Sequence, residues 1–161
     1  DIHPTTLELT GARCDWTHHA RSLVPQLHGA PGDPARAAFA EGGYDACEPH
    51  CFEGRPDDGA CGIPGRIYYP KGRQQQQHPE SVCRAAMIRT AAHKLIRRSN
   101  GEHELYDLAA DPQELDNAHG RAELAGVEAE LTARLADWYL RTSDVTPPDA
   151  DPRGFPPDLP Q

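Results

Sequence analysis

Leu124, Val127, Leu131, Leu135 and Trp138 recur at spacings of 3, 4, 4 and 3, the stripe that one side of an α-helix shows. Glu123, Glu128, Glu130, Arg134 and Asp137 largely avoid it. The stripe therefore reads as core, on a long helix covering the apolar face of a sheet. That sheet is predicted just upstream, where residues 86–90, 94–98 and 103–107 are strand-length runs bounded by turn residues. Asn100-Gly101 lies between the last two and predicts a hairpin through a type I′ turn, which needs two residues tolerant of positive φ. Leu105 set against His103 and Asp107 predicts one apolar and one polar face, hence an antiparallel sheet covered on one side. Asp111-Pro112-Gln113-Glu114 predicts a helix start, with Asp as cap, Pro at the first helical position and Glu closing a capping box.

Further upstream, residues 37–41 predict a short buried strand that runs into Gly42-Gly43, where the backbone can bend sharply. Residues 66–70 predict a brief strand, and the polar run 74–77 a solvated linker. At the N-terminus Ile2, Leu7 and Leu9, stopped by Gly11, predict a helix of about three turns, too short to hold without a partner for its apolar face. The chain begins with Asp1 inside that helix, as expected of a piece of a longer protein. Pro147-Pro148 and the tail to Gln161 are too rich in proline and acid to form a packed element.

Composition narrows the picture. With 14 glycines and 16 prolines in 161 residues and a hydrophobic content of 37%, loops are abundant and the core is small. A net charge of −9, from 25 acidic and 16 basic residues, excludes a general nucleic-acid binder, which needs a basic face. Arg89, Lys94, Arg97 and Arg98 cluster locally and read as a solvated strand face. No apolar run approaches the roughly 18 residues a membrane span needs, and no signal peptide is visible, so the compartment stays open. The 5 cysteines are an odd set. Cys47, His50, Cys51 and Cys61 have the ligand types of a Cys₃His zinc site, though not a familiar spacing. Loosely placed thiols, or a Cys47–Cys51 or Cys51–Cys61 disulfide, are the other readings. His18 and His19 are adjacent, so their side chains diverge, and they read as loop.

The segment 42–72, GGYDACEPHCFEGRPDDGACGIPGRIYYPKG, is a long irregular insert dense in aromatic and ionisable residues. Such loops in compact domains are usually functional or disordered, and this composition favours function. Glu41, Tyr44, His50, Tyr68 and Lys71 are the candidate substrate-binding residues. They offer aromatic faces, hydrogen-bonding groups and a cation to a polar, anionic ligand. No catalytic residue and no metal ligand is assigned in the chain.

A resemblance carries the reading further. Residues 87–117, MIRTAAHKLIRRSNGEHELYDLAADPQELDN, resemble the C-terminal hallmark of the sulfatase family. The matching positions are Arg89, Thr90, Lys94, Leu105, Tyr106, Asp107, Leu108, Asp111, Pro112, Glu114 and Asn117. The opening DIHPTTLELTG and the later RSLVPQL are similar to two upstream family motifs, in family order, although Ala20 stands where the family more often has Gly. The 143–147 stretch resembles a tail found in some bacterial members.

The resemblance implies an α+β fold: a small antiparallel sheet packed by a long C-terminal helix, with a remnant of an α/β catalytic domain ahead of it. Residues 1–30 would end that domain, 31–142 form the C-terminal subdomain and 143–161 a Pro-rich tail. It implies sulfate-ester hydrolysis by a formylglycine nucleophile with calcium, both in the N-terminal catalytic domain on which this chain packs. The implied partner is a sulfated small molecule or glycan bound by the parent enzyme. No Cys or Ser here is followed by x-Pro-x-Arg, so the chain alone lacks the catalytic motif. A phosphonate or phosphate ester hydrolase of the same superfamily, or a stand-alone Cys/His-loop binding module, are the alternatives.

Overall fold

The structure is a computed structural model that describes residues 1–14, 18–45 and 64–143. Its elements are α1 (Ile2–Thr10), the single turn α2 (Val24–Leu27), β1 (Ala38–Gly42), α3 (Tyr69–Gln77), β2 (Ala85–Arg89), β3 (His93–Arg98), β4 (Glu104–Asp107) and α4 (Ala125–Thr142). Among the described residues, those within 35–135 form one compact unit, and those within 1–34 with 136–143 form another.

In the larger unit the sheet is antiparallel in the order β1-β2-β3-β4. Its register aligns Phe39, Ile88, Leu95 and Leu105 directly across the strands, so they share one face. Ile88, Leu95 and Leu105 have no solvent exposure, and this row is the centre of the core. α4 is tied to that face. Arg97 of β3 lies 3.9 Å from Glu128, and Arg134 donates to the Ala35 carbonyl at 3.2 Å. Of the predicted stripe, Leu131 and Leu135 are buried, whereas Leu124, Val127 and Trp138 are only half-buried.

Several expectations change on contact with the structure. Because strand side chains alternate with period two, His103, Leu105 and Asp107 fall on one face, not on opposite ones. His103 is therefore on the covered side. The same rule splits the basic cluster: Arg97 faces α4, and Arg89, Lys94 and Arg98 face the other way. The hairpin forms where Asn100-Gly101 places it, but as a longer loop between β3 and β4. Gly101 has φ 86, and Asn100 has no positive φ, which a type I′ turn requires. The Asn100 side chain instead accepts from the Glu102 amide at 3.1 Å, an Asx turn. Ser99 holds the loop to the strand lead-in, its hydroxyl accepting from the Arg84 amide at 3.0 Å.

No helix starts at Asp111. The Asp111 carboxylate accepts from the Asp116 amide at 2.8 Å, closing a tight turn in which Glu114 adopts φ 57. The segment then runs along β4. Asn117 accepts from the Leu105 amide at 3.0 Å and donates to the His103 carbonyl at 3.1 Å, and the Ala118 amide donates to the Leu105 carbonyl at 2.8 Å. Pairing with a free sheet edge wins over a weak capping box. The expected strand at 66–70 and linker at 74–77 are a turn followed by α3, with Pro70 in its first turn, a position that suits proline. Gln75 within it is buried. The expected buried strand at 37–41 is β1, an edge strand exposed at most positions, because it has a neighbour on one side only.

In the smaller unit, α1 ends at Gly11 with φ 70, where the stop was expected. The chain at 21–23 lies along it: the Arg21 amide donates to Asp1 at 3.0 Å and the Leu23 amide to the Thr5 hydroxyl at 2.8 Å.

Candidate functional site

β1 delivers the first candidate residues. Glu41 pairs across the sheet with Ala86 and is exposed; Tyr44 is half-buried. Between them Gly43 has φ 83, and a Cβ built there would lie 2.1 Å from the Cys83 carbonyl oxygen. The backbone thus passes hard against the start of β2, which holds the exit from β1 in place. At the other end of the insert, Tyr68 precedes α3 and Lys71 lies in its first turn. Three residues apart, they share a side of the helix. Both are exposed, as is Ile67 beside them. The structure therefore brings Glu41 and Tyr44 together on one strand end, and Tyr68 and Lys71 on one helix end. His50 lies outside the described residues, as do Cys47, Cys51 and Cys61, so the zinc and disulfide readings do too.

The face of the sheet away from α4 carries a network that the sequence reading missed. Lys94 is hydrogen-bonded to Glu114, and Arg89 lies 3.8 Å from the same carboxylate. Arg98 Nε donates to Glu104 at 3.0 Å, and the Tyr106 hydroxyl donates to Glu104 at 2.7 Å. The ammonium of Lys94 stands 6.0 Å over the Tyr106 ring. Hydrogen bonding to Glu104, then burial, pushes the Tyr106 phenol up to about 12. Burial pushes the Glu104 carboxyl up, but the Tyr106 hydroxyl, Arg98 and Lys94 outweigh it and hold it below the usual range. Arg98 is raised in turn by Glu104. Each of its three cations has a carboxylate partner, Glu114 for Arg89 and Lys94 and Glu104 for Arg98, so these side chains form one structural network. The signal that locates it is register: Lys94 stands opposite Tyr106, and Ile96 opposite Glu104, so Lys94, Arg98, Glu104 and Tyr106 share one side.

Among the described residues, no three His, Cys, Asp or Glu side chains come together as a metal site. No helix among the described residues is long and apolar enough to cross a membrane.

Residues 66–141 match the family model for N-sulphoglucosamine sulphohydrolase, C-terminal. An N-acetylglucosamine-6-O-sulfatase of Bacteroides thetaiotaomicron is 36% identical over 156 residues, covering 94% of this chain and 22% of the relative. The chain thus spans about a fifth of that relative's length. Among solved structures, a phosphonate monoester hydrolase of Agrobacterium radiobacter superposes with TM-score 0.59 at 26% identity, over 88% of this chain and 24% of that one. A protein in complex with its substrate D-glucosamine-2-N,6-O-disulfate gives TM-score 0.58 at 28% identity, over 89% of this chain and 24% of that one. The hallmark on β2–β4 and the turn after it, the four-stranded sheet with its terminal helix, and these matches agree: the chain is a C-terminal region of the sulfatase family, in the alkaline-phosphatase-like superfamily.

Proposed function

We propose that this chain serves a sulfate-ester hydrolase as its C-terminal part, supporting an N-terminal catalytic domain and contributing contacts to a sulfated sugar from the insert between Glu41 and Lys71. The observation that carries the reading is the 36% identity to an N-acetylglucosamine-6-O-sulfatase along 94% of the chain. In this reading residues 1–30 close the catalytic domain, 31–142 are the C-terminal subdomain and 143–161 a tail. The catalytic domain supplies the formylglycine and calcium. Tyr44 and Tyr68 offer ring faces to the sugar, Lys71 a cation to the sulfate, and Glu41 and His50 hydrogen bonds to hydroxyl groups. The close passage of Gly43 against Cys83 supports this assignment, because contacts that give specificity need a rigid base.

In the full-length protein, Lys71→Ala or His50→Ala is expected to lower kcat/KM for the sulfated sugar about 10- to 100-fold, roughly 1.4–2.7 kcal/mol of transition-state binding. A small aryl sulfate that does not reach the insert should change far less. Equal losses on both substrates, or none on either, would remove the insert from the pocket. A phosphonate monoester hydrolase is the second reading, favoured by the similarity to the Agrobacterium radiobacter enzyme. Preferential turnover of phosphonate monoesters over sulfate esters by the full-length protein would select it.

A further inference from the structure

Where β3, the loop before β4 and the first turns of α4 meet, two histidines are packed with one carboxylate and a guanidinium. The rings of His103 and His119 stand edge to face with centroids 5.2 Å apart. His119 Nε2 lies 3.1 Å from Glu128; it is shut off from solvent and, among the described residues, makes no aligned hydrogen bond. The other Glu128 oxygen accepts from the Gly120 amide at 3.2 Å, and Arg97 reaches the carboxylate from β3 at 3.9 Å. The Arg98 amide donates to His103 Nδ1 at 3.1 Å. His103 is therefore the tautomer that carries its proton on Nε2.

We propose that His103, His119 and Glu128 form an acid-released latch that holds the first turns of α4 on the sheet. The groups facing His103 are Arg97 from β3, His119 from the turn after β4, and Glu128 from α4. A proton taken up by His103 must enter on Nδ1, where it turns the acceptor of the Arg98 amide into a donor and breaks that bond. It also sets an imidazolium beside the His119 ring and the Arg97 guanidinium, with a single carboxylate, Glu128, to offset the added charge. Release of the helix end exposes both rings to water and relieves the repulsion. Burial, followed by Arg97 and His119, holds His103 below its ordinary value. The neutral ring is thus the form that the folded state favours. Its contribution to holding the helix is present above the ordinary histidine value of about 6.5 and is lost as pH falls through the lowered one.

Amide hydrogen exchange, followed peptide by peptide in the full-length protein, tests the latch. Once intrinsic rates are corrected, segment 125–135 should exchange faster at about pH 5 than at about pH 7.5, by about tenfold for each unit by which His103 is lowered. Peptides from β2 and β3 should not follow it. In His103→Asn the amide oxygen still accepts from Arg98 but takes up no proton, and the acid response of 125–135 should disappear. Equal acceleration of 125–135 and the strands in the wild-type protein overturns the proposal, and this comparison decides even if the variant does not fold. A folded His103→Asn that responds to acid as the wild type does overturns it as well.

Discussion

Two neighbouring glycines at the end of β1 have opposite demands. A Cβ added at Gly42 would meet nothing within 4 Å, whereas at Gly43, with φ 83, it would meet the Cys83 carbonyl at 2.1 Å. Gly42→Ala is therefore expected to change stability by less than about 0.5 kcal/mol. Gly43→Ala should cost about 1–3 kcal/mol from backbone strain alone, and more with the backbone clash. Denaturant unfolding of the pair checks it, and equal costs would mean the exit from β1 is not clamped. Tyr106 gives a pH signature at the same scale. Its phenol is raised to about 12, so the neutral form is favoured by folding. That stability is complete below the ordinary tyrosine value of about 10 and lost as pH rises through about 12. Ultraviolet titration should show a late phenol step that Tyr106→Phe removes; the same step in both proteins would dissociate Tyr106 from Glu104.

Among the elements, α4 divides along its length. Leu131 is 2% exposed and Leu135 4%, and truncating either to Ala should cost about 2–5 kcal/mol through lost burial and the cavity left. Trp138 is half-buried and packs edge-on against Tyr139 with centroids 5.0 Å apart. Trp138→Ala should therefore cost less than Leu131→Ala, although tryptophan is the larger side chain. Chemical unfolding of both variants reads the order directly, and a larger loss at Trp138 would show that the helix buries its far end more deeply. The turn after β4 shows how an element is lost to a neighbour. Glu114 accepts a left-handed conformation while its carboxylate holds Lys94 and Arg89, and the chain beyond it bonds to β4 instead of winding into a helix.

For the molecule as a whole, the sheet and helix belong to the sulfatase C-terminal region, while the chain spans 22% of the relative it matches. No Cys or Ser in it stands before x-Pro-x-Arg. The chain by itself is expected to hydrolyse no sulfate ester. Turnover of an aryl sulfate by rigorously purified chain, abolished by a point substitution within it, would contradict this. Tyr68 and Lys71 are both exposed at the start of α3.

Periodicity and turn chemistry alone determined the α1 stop at Gly11, the three strands at 86–107 and the long terminal helix. Each of these is encoded locally, in 3.6- or 2-residue repeats or in residues that only one backbone conformation accommodates. Tertiary structure decided what depends on partners distant in sequence. It matched Arg97 with Glu128 on α4, and Lys94 with Glu114, 20 residues away. The 111–118 segment was decided by the edge of β4, and α3 by a turn-rich stretch whose Pro70 suits a helix start as well as a strand end. A charge or a cap has the same local sequence whether its partner is water, a neighbouring turn or another strand. Only the register, which brings separate segments within hydrogen-bond reach, selects among them.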